Sequence, residues 1–430
     1  MNGKSFKFST QSLWEYISII TLMLECSSLY FNQTKWNLIS SNITLIIGFL
    51  PLTLKALLYF GANDSKRSIF AKGFLGYILF AGIYLLTLKK VEFVNFAMKF
   101  IAIFPCISIY VLYLMTTGKF ARYAKRYVKV VYAIASFSLL FWLFGSVIGV
   151  LHPTGSLPYI WGSMQRTANS YFNIYFETQT ELTIFGIWRN TAFFTEAPKY
   201  GLILTIAYLF NYIFEKNRKV TVILAVTIMT TFSFTAIIGL LLFHFIVYSM
   251  HVGRDVLTKR AKIRTLVWPV LIGIALIAVS FLIGRKLDTS SGIGRLGDFV
   301  ICFTVGMQHP LFGWGFLDNE YLNSVLHFSR LASGVGNTMG LSNSISQIFV
   351  DGGIYLMMFY FIPILCIIKC GIKYSDEWFS FGVVLLYLFI TTYFAYSGIM
   401  FFMLSTGYSV FILKRTERLQ LLFSDNGEIK

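Results

Sequence analysis

The sequence predicts an all-α, polytopic integral membrane protein with about 12 transmembrane helices, because apolar residues dominate and recur along the whole chain. Of the 430 residues 56% are hydrophobic and only 13% are charged, and the mean hydropathy is +0.68. A water-soluble protein of this size needs far more polar surface to cover its exterior. We therefore expect one membrane domain over residues 1–430, not an anchor joined to a soluble body.

A transmembrane helix needs roughly 20 apolar residues, and about twelve segments are candidates. These are residues 13–31, 38–58, 69–88, 93–116, 130–151, 198–214, 220–234, 236–251, 266–283, 344–368, 379–396 and 398–413. The seventh and eighth are short and joined by Phe232–Thr235, and the last two divide near Tyr396–Gly398. Twelve spans place both termini on one side of the membrane.

The basic residues predict the orientation. The net charge is +17, which in a soluble protein would suggest nucleic acid, but the positive-inside rule explains it here, so no nucleic acid partner is expected. With the amino terminus inside, the strongly basic loops, including 119–129 and 254–264, all lie in the cytoplasm. The two long loops, residues 152–198 and 284–343, then lie outside. Long loops are usually functional, so we expect any chemistry on the external face.

The first external loop ends with charged residues beside a helix start. Pro198 suits the first turn of a helix, and Glu196 would lie at that helix amino terminus, where an anion is favoured. Arg189 and Lys199 supply positive charge, and Trp188 adjoins Arg189. The alternative is that Arg189 pairs with Glu196 while the aromatic residues form an interfacial belt.

The second external loop contains a helical apolar repeat. It predicts a short interfacial helix over Ile293–Gln308 along the outer leaflet, with Arg295 and Asp298 on another face. His309 then precedes a glycine-containing aromatic turn that includes Trp314 and allows close backbone approach. The alternative is a surface helix that only seals the bundle.

The far end of this loop is polar and leads into a span that contains Asp351, Gly352 and Gly353. Asn343 and its serine neighbours could bind sugar hydroxyls, or Asn343 or Ser344 could instead cap the helix. The five cysteines follow no zinc or CxxC spacing, and the external loops contain no DxD-like pair. No metal and no cofactor are therefore predicted.

Several motifs together indicate a family. They are W-R-N-T-A-F-F-T-E-A-P (188–198), the hairpin tip Phe232–Thr235, G-I-G-R-L-G-D (292–298), H-P-L-F-G-W-G-F (309–316) and S-N-S…D-G-G-I-Y (342–355). In this order, over residues 180–370, the chain resembles the superfamily of bacterial O-antigen polymerases and ligases.

The resemblance implies a metal-independent glycosyltransferase of the GT-C type in the bacterial inner membrane. Its substrate would be an oligosaccharide on undecaprenyl diphosphate at the periplasmic leaflet, and its partners membrane lipid and the chain-length regulator and flippase of the same pathway. Polymerases transfer the growing chain to the next repeat unit, whereas ligases transfer it to lipid A-core. Ligases carry a functional histidine at the start of the span after the large loop. Leu341–Ser344 contains none, which favours a polymerase, with a ligase as the alternative.

Within this reaction, arginine suits the diphosphate because its guanidinium binds two oxygens and keeps its proton. Diphosphate binding is assigned to Arg189 and Arg295, with Lys199 and Arg285 in support. The acceptor hydroxyl needs a base, for which Glu196 is the first candidate and Asp298 the second. Sugar binding is assigned to Trp188, His309, Trp314 and Asn343, although the tryptophans could equally be interfacial anchors.

Two other functions stay open. A flippase for lipid-linked oligosaccharides would place charges along a cavity inside the spans, where this chain has few, namely Glu15, Glu25, Lys55 and Lys99. A non-catalytic assembly protein of the envelope would give no reason for arginines at external helix ends.

Overall fold

The computed structural model describes residues 10–33, 35–88, 92–161, 164–178, 186–255, 290–317, 322, 324–326 and 341–413. Its helices are α1 Thr10–Glu25, α2 Lys35–Gly61, α3 Asp64–Thr87, α4 Phe93–Thr116, α5 Phe120–Val147, α6 Ala197–Phe210, α7 Arg218–Thr230, α8 Phe234–Asp255, α9 Ser290–Gly306, α10 Ser344–Tyr374, α11 Asp376–Thr391 and α12 Gly398–Leu413. Each of α4, α5 and α6 includes or continues into a π-helical turn, at Ala97–Ile103, Trp142–Val147 and Asn211–Glu215.

The chain is a predominantly helical membrane protein. In the described part, five helices are long and apolar enough to cross a membrane, namely α2 from Ile39 onward, α3, α4, α5 and α10. The predicted ninth span, 266–283, lies outside the described residues, so the count of twelve stays a prediction. The hairpin predicted around Phe232–Thr235 is present, since α7 ends at Thr230 and α8 begins at Phe234. The helix that contains most of the predicted fifth span, 130–151, is longer than that span, since it begins at Phe120 in the predicted basic loop and ends at Val147.

One continuous hydrophobic core joins the helices from Ile19 to Leu413. Helix α12 lies at its centre and packs against α4 and α10, and nearly all its side chains are buried. A helix that is apolar all round is stable only in such a position or in lipid. Helix α3 shows the opposite case, because it exposes apolar residues such as Leu75, Leu79 and Leu86. Lipid is the solvent that favours this exposure.

A three-stranded antiparallel sheet occupies residues 155–177 of the first long loop, an element that the sequence did not predict in this predominantly helical chain. Strands β1 Gly155–Trp161, β2 Met164–Tyr171 and β3 Tyr175–Glu177 pair in the order β1-β2-β3. A tight turn joins β2 to β3 through Phe172 and Asn173, both with φ of 54°. The sheet is attached to the end of α1, since the backbone N–H of Ile160 donates to the Asn32 carbonyl at 2.7 Å. We call this end of the bundle the sheet end.

Helix α10 breaks where the 309–316 turn packs against it. Gly353 has φ 56° and ψ −152°, a conformation essentially restricted to glycine. Two backbone N–H groups after the break, those of Ile354 and Tyr355, donate to the carbonyls of Pro310 and Leu311 at 2.8 and 3.0 Å. The predicted close backbone approach of this turn is therefore confirmed, and its partner is the D-G-G segment.

The predicted interfacial helix is α9, which turns its apolar stripe outward. Leu296, Val300, Phe303 and Met307 are all exposed, whereas Asp298 on the opposite face is buried. In water this arrangement would be unfavourable, because the apolar stripe would meet solvent. It suits a helix whose outer face meets lipid.

The charged residues within the predicted spans have polar or oppositely charged partners. Glu15 accepts a hydrogen bond from Arg122 at 3.2 Å and forms an ion pair with Arg126. Lys55 donates to Gln11 at 2.7 Å, beside the same cluster. Unpaired charges would be costly in the low-dielectric interior, so these contacts account for the presence of charged residues there.

Candidate functional site

Four segments that are distant in sequence meet at the sheet end. The N–H and hydroxyl of Ser344, at the start of α10, donate to the Thr392 carbonyl in the 392–397 loop. The Lys199 ammonium on α6 donates to the next carbonyl of that loop, on Tyr393. The N–H of Thr195, just before α6, donates to the carbonyl of Ser27 after α1. We call this junction of the α1 end, the α6 and α10 starts and the 392–397 loop the mouth.

Glu196 and Lys199 both lie at the mouth, as the sequence predicted. Glu196 occupies the N-cap position of α6, where its side chain makes no capping hydrogen bond, and it is half-buried. Lys199, one turn later, is 7% exposed and lies 5.0 Å from the centre of the Tyr393 ring. The site therefore has a part-exposed carboxylate and a buried ammonium on one helical turn.

Asp298 and Asn343 are also brought together. The Asp298 carboxylate accepts the N–H of Ser342 at 2.9 Å, across 44 residues of sequence. The Asn343 side-chain oxygen accepts the N–H of Ser346 at 2.9 Å, so Asn343 caps α10. Of the two alternatives for Asn343, helix capping is thus present, and it leaves only the amide NH₂ for a sugar.

Several buried donors around the start of α10 have no hydrogen-bond partner within the described residues. They are Asn343 Nδ2, Ser342 Oγ, Ser346 Oγ and Thr392 Oγ1. Buried polar groups without partners are uncommon in native proteins and call for water or a ligand. The start of α10 is therefore a polar, closely packed region.

A buried carboxylate, Asp351, lies two turns along α10 from this cluster. It accepts hydrogen bonds from Gln347 at 2.7 Å and from the Tyr396 hydroxyl at 2.5 Å. Acidic groups inside membrane helices are rare and usually functional. Sequence analysis placed Asp351 in a motif but assigned it no role. The Gln347–Asp351 spacing of four residues was the signal that could have singled it out.

Arg189 binds the tip of the α7–α8 hairpin. Its Nε donates to the Thr231 carbonyl at 3.0 Å, and its Nη2 donates to the Phe232 carbonyl at 3.4 Å. Carbonyl groups at a helix carboxyl end have no partner within the helix, so a cation is favourable there. The carbonyl of neighbouring Trp188 accepts the indole N–H of Trp142 at 2.8 Å. Both predicted residues therefore have structural contacts in addition to any substrate role.

His309 and Trp314 lie together at the contact of α9 with α10. Their ring centres are 4.6 Å apart, and the Trp314 indole N–H donates to the Val305 carbonyl at 2.8 Å. Their sugar-binding role stays a prediction. Arg295 belongs to α9, but its side chain is outside the described structure, as is Arg285 altogether.

Glu177 in β3 is an acidic residue that sequence analysis did not identify. Ser146, Tyr171 and Asn169 donate to its fully buried carboxylate at 2.7, 2.9 and 3.1 Å. Burial, reinforced by this carboxylate, raises the pKa of Tyr171, so its hydroxyl stays protonated and keeps donating. These contacts attach the sheet to the end of α5. They depend on strand pairing that the residues around Glu177 did not predict.

No group of three or more His, Cys, Asp or Glu side chains in the described part of the chain could hold a metal ion. The chain matches none of the protein-family models against which it was compared, and a search of curated proteins gives no match. The resemblance to a known family therefore stays a prediction from the sequence motifs.

Proposed function

We propose that this protein is a glycosyltransferase of the bacterial inner membrane that polymerises a surface polysaccharide such as O-antigen. It would transfer the growing glycan from undecaprenyl diphosphate to the next lipid-linked repeat unit, with its active face in the periplasm. The observation that carries this proposal is that the motifs which suggest the family contact one another in pairs.

Three such contacts support the proposal. The W-R-N segment bonds to the hairpin tip through Arg189 and Thr231, the G-I-G-R-L-G-D motif bonds to S-N-S through Asp298 and Ser342, and the 309–316 turn bonds to the segment after D-G-G. These contacts join segments that lie between 40 and 45 residues apart in the sequence. Their convergence favours one functional unit at the sheet end.

The reaction would use residues of the mouth. The acceptor hydroxyl attacks the anomeric carbon of the growing chain, a new C–O bond forms, and the bond to the diphosphate oxygen breaks. Undecaprenyl diphosphate leaves with the electron pair, and a carboxylate takes the hydroxyl proton. Glu196 suits the role of base better than Asp298, because Glu196 is half-exposed whereas Asp298 is 1% exposed and accepts a backbone N–H.

Arg189, Lys199 and Arg295 would stabilise the diphosphate as its negative charge develops. Lys199 supports this role by its position, one turn from Glu196 at the start of α6 and beside the unpartnered donors of α10. Trp188, His309 and Trp314 would bind sugar rings. Asn343 would use the amide NH₂ that helix capping leaves available.

A flippase is less well supported. The described charges within the predicted spans are in contact with partners, Glu15 with two arginines and Glu25 with Lys99 at 2.6 Å. Such pairs stabilise a bundle and do not by themselves make a path for a polar glycan. The ligase alternative differs only in the acceptor.

Deleting the gene in the parent bacterium tests the proposal. We expect lipid A-core capped with a single repeat unit, because capping continues while chain growth stops. Complementation with the intact gene should restore the ladder of long chains on a gel. Uncapped core would indicate a ligase instead, and unchanged long chains would remove the polymerase assignment.

A further inference from the structure

We propose that a groove between α1 and α5 holds the first isoprene units of the polyprenyl chain of the lipid-linked donor while its head group occupies the mouth. This inference rests on the proposed function and adds a binding site for the lipid part of the substrate. The site lies outside the motifs that suggested the family, apart from its outer end.

The groove has a volume of about 540 Å³, within the range of roughly 300–1,000 Å³ that is usual for ligand sites. One face of α5, marked by Lys129, Ala133, Phe137 and Phe141, forms one wall. At 1.5 Å per residue this face extends for about 18 Å, more than half the thickness of a bilayer core of about 30 Å. The opposite wall belongs to α1.

The walls suit a hydrocarbon chain. The α1 wall consists of Tyr16, Ile20, Met23 and Leu24, which present mainly apolar atoms. The Ser138 hydroxyl in the floor lies 2.7 Å from the Tyr200 hydroxyl, so its polarity is already satisfied. Such a surface offers an isoprenoid dispersion contacts without requiring a polar partner.

The outer end of the groove is continuous with the proposed site. Ala192 and Phe193 line it, and both belong to the same W-R-N-T-A-F-F-T-E segment as Arg189 and Glu196. Asn190 of this segment donates to Ser138 in the groove floor at 3.3 Å. A chain in the groove therefore ends at the segment that carries Arg189, the proposed ligand of the diphosphate, and Glu196, the proposed base.

The positive charges near the two ends of the groove distinguish between the lipids that it could bind. A polyprenyl diphosphate would place its charge at the outer end, beside the segment that bears Arg189 and Lys199. A phospholipid seated the other way round would place its phosphate near Lys129, the one lysine in the lining. Continuity with the mouth favours the polyprenyl chain.

Filling the groove with a tryptophan tests this inference. Ala133 is exposed in the wall, so Ala133→Trp would occupy the space, while Leu140→Trp changes a lipid-facing residue of α5 outside the lining. The purified full-length variants would be given the same repeat unit on undecaprenyl diphosphate or on a two-isoprene diphosphate. We expect Ala133→Trp to lose at least tenfold in rate with the long donor, equivalent to about 1.4 kcal/mol. It should match the parent with the short donor, and Leu140→Trp should match the parent with both.

A photoactivatable undecaprenyl diphosphate provides a readout that does not depend on catalysis. We expect it to label peptides from α1 and α5 in the parent and to lose this labelling in Ala133→Trp. Equal rates and equal labelling in parent and Ala133→Trp would overturn the groove assignment, as would equal losses with both donors. The groove would be assigned to phospholipid if Lys129→Ala lost a phospholipid that copurifies with the parent, while the photoactivatable probe labelled only peptides outside the groove in both proteins. A parent that labels in the groove but polymerises neither donor would instead reject the proposed function.

Discussion

At the scale of single residues, Arg189 combines a structural contact with a proposed catalytic role. It binds the carbonyl oxygens of Thr231 and Phe232, and it belongs to the segment that borders the mouth. Replacing it by Ala removes a charged hydrogen bond to each carbonyl, and each such bond is worth about 1.5–3 kcal/mol. Loss of stability and loss of catalysis must therefore be separated by the choice of variant.

We expect Arg189→Lys to accumulate near the parental level but to polymerise roughly a hundredfold more slowly, because an ammonium cannot reproduce the guanidinium fork. The measurement is the rate per folded enzyme with purified lipid-linked repeat units. Arg218→Lys, an exposed change at the other end of the same hairpin, is the matched control. A parental rate for Arg189→Lys would restrict Arg189 to holding the hairpin tip.

We expect Arg295→Lys to lose polymerisation rate by the same factor as Arg189→Lys.

Asn343 and Arg189 also show what sequence can predict at this scale. The S-N-S sequence before an apolar run predicted a helix cap at Asn343 or Ser344, because capping depends on residues within one turn. The observed partners of Arg189 lie 42 and 43 residues further along the chain, so no local pattern pointed to them. The alternative of local pairing with Glu196 considered only neighbours in sequence.

At the scale of elements, the contact of the 309–316 turn with α10 leaves no room for an added side-chain atom. A Cβ on Gly353 would lie 2.5 Å from the Pro310 carbonyl oxygen, and a Cβ on Gly313 would lie 2.5 Å from the Gly352 nitrogen. The two backbones touch directly, so a methyl group on either side would force them apart. Sequence predicted the close approach from the glycines of the turn but not the element that approaches.

We expect Gly353→Ala to lower the melting temperature of the protein markedly, because the glycine-only conformation costs about 1–3 kcal/mol in strain and the clash adds to it. Gly76→Ala is the control, since this glycine lies within α3 and a Cβ there would meet nothing within 4 Å. Thermal melting of the two variants in detergent gives the comparison. Equal melting temperatures for both variants and the parent would show that the turn can move away from α10.

The sheet shows a limit of prediction at the same scale. Its second strand pairs Asn169 with Glu177 and Ser170 with Phe176, so hydrogen bonds to the following strand stabilise it. Because such pairing joins separate segments, the charged residues of this loop did not predict it. Buried residues such as Tyr159, Ala168 and Phe176 form a small core of their own with Leu29, which stabilises the sheet on the bundle.

At the scale of the whole molecule, the arrangement of charges predicts which end faces the cytoplasm. We expect an impermeant maleimide to label Ser156→Cys in intact spheroplasts and Lys125→Cys only after permeabilisation. Both positions are exposed, one in β1 at the sheet end and the other on the first turns of α5. The five native cysteines are buried or half-buried, which keeps background labelling low. Labelling with the opposite sidedness would reverse the topology and place the mouth in the cytoplasm.

The membrane character was predictable from composition, because burial in lipid requires apolar residues everywhere along the chain. The position of α12 at the centre was not, since an apolar helix suits either lipid or a protein core.

One contact links the first and last described helices. The Glu25 carboxylate accepts the N–H of Gly398 at 2.7 Å and the Lys99 ammonium at 2.6 Å, so the end of α1 caps the start of α12. During synthesis α1 enters the bilayer long before α12 leaves the ribosome. Until then Lys99 can contact Glu25, but the carboxylate oxygen that accepts the Gly398 N–H lacks this donor. The contact that joins the two ends of the described chain can therefore form only after α12 has been synthesised.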